Sequence, residues 1–509
     1  MKRVHVFLLL PLVGLFTGCM DLSLQWSSHG GYNLAPTEDG DDTDFKVPGE
    51  NDWVVTAEEP TSTFGADVDS GSYTLMRQAV NQGMLPGPQT VRIEEYVNYF
   101  RYSDPRPKGD EPFNVYLESA PSYFGHAEHV QLLRIGLQAK SIPIAERDPV
   151  NLVFLIDVSG SMGSPEKLSL VKFALNNLVD KLSPEDTLGI VVYAGADGVV
   201  LEPSPVSDKS RILDAINAMQ AGGSTNGEAG IRAAYDLAES AFRTDGVNRV
   251  VLCTDGDFNV GMAGKKLIDL IEDFRDRNIF LTTLGFGQGN YDDVQMEQLA
   301  DHGNGNYAYI DSQNEALRVL GENLVSTLQV VAKDVKFQVE FNAHNVERWR
   351  LVGYENRLLE EHQFNDDTVD SGDIGAGHSV TALYEIELTD DAEEPILRFN
   401  TNKRDQRVDE LAQVRIRFKE PDSDISELRR WSMQRNHQKE SFEAASRSLR
   451  FSAAVTEFAE ILRESKHSEG ERFEELWQIA DQATQGETRT PMQSEFLKLV
   501  PKAQLLKGQ

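Results

Sequence analysis

From residue 149 to 330, near-continuous apolar runs alternate with segments of helical period, and no other stretch of the chain limits the fold as strictly. The runs are Leu152 to Asp157, Leu188 to Tyr193, Val250 to Thr254, Ile279 to Leu284 and Asn306 to Ile310. Between and after them come helical patterns at Glu166 to Leu182, Asp208 to Met219, Gly227 to Phe242, Lys265 to Arg277, Asp292 to Asp301 and Asn314 to Leu328. A strand that is apolar on both faces must be covered on both faces. The alternation therefore predicts a mainly parallel sheet with helices on each side, an α/β doubly wound domain. In such a sheet the loops beyond the strand ends gather at one edge, where ligands bind.

Two of these strand ends carry carboxylates. Asp157-Val158-Ser159-Gly160-Ser161 follows one apolar run, and Cys253-Thr254-Asp255-Gly256-Asp257 ends another. A third loop, Gly222-Gly223-Ser224-Thr225-Asn226-Gly227, leads into a helix. A carboxylate and two hydroxyls on alternate loop positions can converge on one hard divalent cation, which prefers oxygen ligands. The candidate metal ligands are thus Asp157, Ser159, Ser161, Thr225 and Asp255, with Mg²⁺ as the expected cofactor and Mn²⁺ or Ca²⁺ as other occupants. If the hydroxyls bind directly and the carboxylates act largely through water, the ion stays electron-poor and keeps a position open for an outside carboxylate. Gly160, Gly222 and Gly223 let the backbone crowd the ion. Helix capping is the competing role for the serines, but Ser164, ahead of Pro165 and Glu166, is expected to be the better cap.

This constellation resembles the von Willebrand factor type A (VWA) domain, whose metal-ion-dependent adhesion site uses D-x-S-x-S, a Thr in a later loop and an Asp after the fourth strand. All five positions are matched by Asp157, Ser159, Ser161, Thr225 and Asp255. The flanks resemble one bacterial envelope subfamily. Phe64-Gly65-Ala66-Asp67-Val68-Asp69 through Val91 to Phe100 is similar to its N-terminal region, and residues from about 331 onward to its C-terminal domain of unknown function. The resemblance implies metal-dependent protein binding without naming a partner; the open position on the ion makes an Asp or Glu of a protein ligand the expected occupant, and the chain is not expected to be an enzyme.

The rest of the chain divides around that domain. Lys2 and Arg3, an apolar run from Val6 to Phe16, and Thr17-Gly18-Cys19 read as a signal peptide over 1–18. Cys19 at the cut resembles the lipobox of bacterial lipoproteins, so it is the expected lipidation site, and Met20 after it resembles sorting to an outer membrane. Residues 19–52 are Gly-, Ser-, Asn- and Asp-rich, a flexible acidic tether with a reach on the order of 30 Å. Residues 53–148 give helical signals at Tyr73 to Met84 and Val91 to Phe100, then alternating strands at Phe113 to Glu118 and Val130 to Leu137. Residues 331–425 return to a two-residue period, and 426–509 read as helices. The β-rich segments on either side of 149–330 are alike, which predicts that they pair into one β-sandwich with the α/β domain inserted between its halves.

Charge sharpens the choice of partner. With 49 Lys+Arg against 82 Asp+Glu, the net charge of -33 repels nucleic acid and attracts cations and basic surfaces. Of two cysteines, Cys253 lies inside a buried-strand pattern, so no disulfide framework is expected in the mature chain.

Other motifs carry less. Ser164-Pro165-Glu166-Lys167 matches the S-x-x-K of penicillin-binding enzymes but lacks S-D-N and K-T-G companions. Asp67-Val68-Asp69-Ser70 has a phosphotransferase spacing, yet Thr63 to Ala66 makes a poor buried strand before it, and Asp69 or Ser70 is expected to cap the next helix. His126 and His129 lack further metal ligands nearby. Gly285-Phe286-Gly287-Gln288-Gly289 reads as a tight turn. Two alternatives stand beside the binding module: a structural envelope scaffold, and a metal-dependent hydrolase, which the absence of a His base or a third acidic ligand disfavours.

Overall fold

The computed structural model describes residues 49–125, 129–194, 198–223, 227–256, 264–287, 293–369, 371–389, 409–421, 423–468, 470, 472–486 and 489–508. The signal peptide, Cys19 and most of the acidic tether fall outside them, as do Thr225 and His126.

The N-terminal flank contributes strands β1 (Val54–Val55) and β2 (Thr61–Gly65), helices α1 (Gly71–Asn81) and α2 (Ile93–Asn98), and strands β3 (Phe113–Pro121) and β4 (Val130–Ala139). The middle segment runs β5 (Val150–Asp157), α3 (Leu168–Val179), β6 (Thr187–Tyr193), β7 (Gly198–Pro205), α4 (Lys209–Ala218), α5 (Gly227–Ser240), β8 (Val247–Thr254), α6 (Gly264–Arg275), β9 (Ile279–Phe286), α7 (Asp293–His302), β10 (Tyr307–Ile310), α8 (Gln313–Leu317) and α9 (Leu324–Leu328). The C-terminal flank adds β11 (Val330–Phe341), β12 (Val346–Val352), β13 (Ile374–Gly375), β14 (Ser379–Leu388), β15 (Glu410–Lys419) and β16 (Ser426–Gln434), then α10 (Arg447–Arg463), α11 (Phe473–Thr484) and α12 (Pro491–Lys507).

The middle sheet has the order β10-β9-β8-β5-β6-β7 and is parallel except for β7. Alternate residues of β5 face opposite cores. Phe154 and Ile156 pack toward α3, α4 and the α8–α9 run, while Val153 and Leu155 pack toward α5, α6 and α7. That two-sided burial is why the strand reads as apolar throughout, and the doubly wound expectation holds.

The flanking strands pair across the insertion. One sheet runs β1-β12-β14-β4-β3, joining N-terminal β1, β3 and β4 to C-terminal β12 and β14. The other runs β13-β11-β15-β16, with β2 added beside β11. Leu133, Ile135 and Leu137 of the first share a core with Phe337, Val339, Val414 and Ile416 of the second, which closes a β-sandwich. A further core joins α1 and α2 to α10, α11 and α12 through Tyr73, Tyr96, Phe451, Phe458 and Phe496. Thr490 caps α12: its hydroxyl accepts from the Gln493 N–H at 3.2 Å, and Gln493 reaches back to the Thr490 N–H at 3.0 Å. Among the described residues no helix is long and apolar enough to cross a membrane.

Several expectations need correction. Thr61–Gly65 is a buried strand despite its small polar residues, because it hydrogen-bonds along β11 with Phe64 stacked on Phe337 at 5.0 Å. Edge strand β7, charged β12 and β16 were not expected, and β16 lies beyond residue 425, where only helices were foreseen. The helix over Asn314 to Leu328 is interrupted by a wide π turn at Arg318–Glu322. Ser70 sits at the start of α1 but does not cap it; its hydroxyl accepts from Arg318 at 2.9 Å, and Asp69 accepts the Tyr307 N–H at 2.8 Å.

These last contacts belong to the junction between insertion and frame. Arg77 of α1 forks onto Asp311 at 2.8 and 2.5 Å and reaches Glu315 at 2.9 Å, all three side chains being nearly buried. Removing one partner of a buried ion cluster leaves charge without compensation. Arg77→Met is accordingly expected to lower the unfolding free energy by about 3–5 kcal/mol in urea titrations.

A second expectation concerns pH. Burial pushes the Glu457 carboxyl on α10 up to about 7. Because the folded value lies above the unfolded one, stability is fully present below about 4.5 and is lost as pH rises through 7. Glu457→Gln should therefore leave the melting temperature unchanged at pH 4 and raise it at pH 8, by at most about 3 kcal/mol of stability.

Candidate metal-ion site

Parallel pairing on both sides of β5 sets Ile156 opposite Cys253 on β8 and Asp157 opposite Tyr193 on β6. The chain leaves β5 at Asp157 and β8 just before Asp255, so both carboxylates emerge at the same sheet edge. Asp157 is 1% exposed and Asp255 8%.

The loop after β5 is tightly determined. Asp157 Oδ1 accepts the Ser159 N–H at 2.7 Å, which turns the chain back over the strand end. The Ser159 and Ser161 hydroxyls then meet at 2.8 Å. Met162 plugs into the core beneath and is fully buried, anchoring the far side of the loop. Neither serine caps a helix, and the expectation for Ser164 fails as well: α3 starts from Lys167, whose N–H bonds the Ser164 carbonyl at 3.1 Å, with no side-chain cap. The capping role that competed for Ser159 and Ser161 is thus not the one they fill.

The Gly-rich loop arrives by backbone. The Gly222 N–H donates to the Val158 carbonyl at 2.7 Å, and the Gly160 N–H donates to the Gly223 carbonyl at 3.3 Å. Thr225 itself is outside the described residues. Four of the sequence candidates, Asp157, Ser159, Ser161 and Asp255, are thereby brought to one edge, with the backbone just before Thr225 stitched to them. Ser161, Gly222 and Gly223 are exposed, so the cluster opens to solvent.

Electrostatically the cluster is under-satisfied. Asp157 Oδ2 and Asp255 Oδ1 are buried and take no hydrogen bond of ordinary length from a described residue. Burial pushes the Asp157 carboxyl up to about 6 against the hydrogen bonds from Ser159, and the nearby Asp255 charge adds to the rise. Two carboxylates beside two hydroxyls, with the Tyr193 hydroxyl also facing Asp157, form an all-oxygen donor set that fits a hard divalent cation. Among the described residues no group of three or more His, Cys, Asp or Glu forms a separate metal cluster.

Lys167 belongs to this site, although sequence reasoning met it only in the rejected S-x-x-K motif. Its Nζ lies 2.7 Å from Asp255 Oδ2. Its stem crosses Gly287, which has φ +95° and where an added Cβ would fall well inside contact distance of the lysine. Cys253 is fully buried and its thiol is pushed up by burial, an inert core residue as expected. Gly287→Ala combines a left-handed backbone with that clash, so a loss of about 1–3 kcal/mol is expected in urea unfolding with chelator present.

Comparison with known proteins identifies the domains that make up the chain. The model described as von Willebrand factor type A domain matches residues 151–323, that described as von Willebrand factor matches 39–134, and that described as Uncharacterized protein YfbK, C-terminal, matches 326–506. The uncharacterized protein YfbK of Escherichia coli is 40% identical over 457 residues, covering 87% of this chain and 78% of that protein. The uncharacterized protein sll0103 of Synechocystis is 32% identical over 188 residues, 36% of this chain and 43% of that one. Among solved structures, the von Willebrand factor type A protein from Catenulispora acidiphila is 16% identical with a TM-score of 0.43, covering 71% of this chain and 81% of that chain. On the strength of the long alignment and the consecutive domain matches, the chain belongs to the YfbK family of VWA-domain proteins.

Proposed function

We propose that this protein is a membrane-anchored binding module that captures a protein ligand by bridging a divalent cation, Mg²⁺ in the first place, to an Asp or Glu carboxylate of that ligand. The observation that carries this reading is the gathering of the Asp157 and Asp255 carboxylates beside the Ser159 and Ser161 hydroxyls at one sheet edge, where one oxygen of each carboxylate takes no hydrogen bond of ordinary length from a described residue. Asp157, Ser159, Ser161, Asp255 and Thr225 would hold the ion. The ion would supply positive charge and an open coordination position. The chain's own residues do the rest. Met162 and the Asp157–Ser159 turn fix the hydroxyls in place, and the buried strand ends keep the carboxylates from relaxing into water.

A VWA domain supports an interaction role, and the donor set supports binding over catalysis, because among the described residues no His base stands beside these carboxylates to activate water. Anchoring rests on Cys19 and the residues before it, and with them a place in the bacterial cell envelope, at the outer membrane. The net charge of -33 supports cation capture and disfavours nucleic acid as partner.

Calorimetric titration of the purified chain with MgCl₂ and MnCl₂ should register uptake by wild type and none by Asp157→Ala, while both keep the same circular dichroism. In pull-downs from envelope extract, only wild type with Mg²⁺ should retain a partner that chelator releases. An absence of heat from wild type at millimolar metal would end the cation reading.

A further inference from the structure

An ordinary surface lysine extends into water, where its ammonium is best hydrated. Lys167 does not. Its side chain is 13% exposed, lies across Gly287, and ends on the Asp255 carboxylate, which is itself 4% exposed. The placement is built from both sides. Gly287 has no side chain to hold the stem away, and its carbonyl is fixed from below by Gln78 of α1, whose Nε2 donates to it at 2.8 Å. The ammonium therefore occupies one oxygen of Asp255, and the other, Oδ1, is buried and takes no hydrogen bond from a described residue.

We propose that Lys167 is a tethered counter-cation of the ion site: it partly neutralises Asp255 in the absence of metal, competes with an arriving divalent ion for that carboxylate, and so sets the site's ion affinity. The inference rests on the cation reading given above and adds to it the residue that tunes it. An ion drawn to Asp157 and Asp255 shares the second carboxylate with a fixed positive charge, and like charges a few ångströms apart in a partly dry site repel strongly enough to cost at least about tenfold in affinity. The same charge changes what a partner meets. Two carboxylates and one ammonium sum to one negative charge, so a divalent ion leaves the centre with one net positive charge, whereas without the lysine it would be neutral. Weak ion binding and strong attraction for an outside carboxylate are then two consequences of one side chain.

The test is ion binding by the purified chain, read by calorimetry with MgCl₂ and MnCl₂ alone, together with thermal melts in chelator and in Mg²⁺. Lys167→Met should bind both ions at least about tenfold tighter than wild type. It should also melt lower than wild type in chelator and gain more from added Mg²⁺ than wild type does. Lys167→Arg, which keeps the charge, should stay near wild type, and Lys167→Gln repeats the neutral substitution should the Met variant fold poorly. If folded Lys167→Met and Lys167→Gln bind no tighter than wild type, the lysine has no such role although the ion site stands. If wild type and all three variants register no ion, the cation reading falls and this inference falls with it.

Discussion

Two carboxylates held at adjacent ends of parallel strands, against an apolar sheet that cannot solvate them, form the constraint around which this molecule is arranged. Asp157 and Asp255 sit beside each other because β5 and β8 pair in parallel with Ile156 opposite Cys253. Neither side chain can move away without unpicking a buried strand. The two carboxylates are themselves buried although the loops beside them are open to solvent, so much of their charge is met by fixed groups: the Ser159 N–H and the Tyr193 hydroxyl for one, the Lys167 ammonium for the other. Among the described residues each arrangement serves its carboxylate only in part, the Tyr193 hydroxyl adding to the Ser159 N–H on Asp157, and incompletely bonded buried acceptors are costly enough that native proteins keep few of them. The site is thus held in readiness by the fold, in the sense that the cost of an incomplete shell is already present before any ligand arrives.

The frame around the insertion has the opposite character, since its charges are closely paired. Arg77 serves Asp311 and Glu315; Arg357 serves Asp69 at 3.1 Å and Asp301 at 2.6 Å; Arg350 bridges Glu385 at 2.9 Å and Glu460 at 3.1 Å. Buried ion pairs of this kind add little net stability over apolar packing, but they penalise misplacement heavily, which makes them suited to fixing one orientation between segments that are far apart in the chain. Asp69 shows the point most directly. Its two oxygens reach Tyr307 of β10 and Arg357 from the C-terminal flank, so a single N-terminal residue ties all three parts together.

What could be read from the sequence, and what could not, follows from the same division. β5, β8 and β9 are buried on both faces and announced themselves as apolar runs, and the D-x-S-x-S loop after the first located the candidate site. The flanking strands β12 and β16 are spelled Val-Glu-Arg-Trp-Arg-Leu-Val and Ser-Glu-Leu-Arg-Arg-Trp-Ser-Met-Gln, and their charged residues hid them. On β12 those charges are answered across the sheet, Arg348 by Glu387 and Arg350 by Glu385, a long-range match that no local period reveals. β2 was missed for a related reason: its neighbour β11 lies some 275 residues away, as the Gln338 to Thr63 side-chain bond illustrates. Lys167 was legible as a residue type but not as a site member, because its partner Asp255 comes from another strand and its path depends on Gly287, from a third.

That dependence links the frame to the candidate site through direct contacts. Gln78 of α1 donates to the Gly287 carbonyl and accepts from the Tyr309 hydroxyl at 2.9 Å; Gly287 supports the Lys167 stem; Lys167 ends on Asp255. Arg77, the residue before Gln78, is clamped to Asp311 just beyond β10 and to Glu315 of α8. Helix α1 therefore grips the insertion at its edge strand, at the run that follows it, and at the turn beneath the lysine. A covered edge strand is protected from pairing with another chain, and here the cover does a second thing. Because α1 is locked by the buried cluster around Arg77, the position of the ammonium at Asp255 is governed by the flanks as well as by the domain that carries the ligands. A VWA domain cut away from its flanks would keep its five oxygen-bearing residues but lose the support under Gly287, so the isolated domain and the full chain should differ in how firmly Lys167 is held on Asp255.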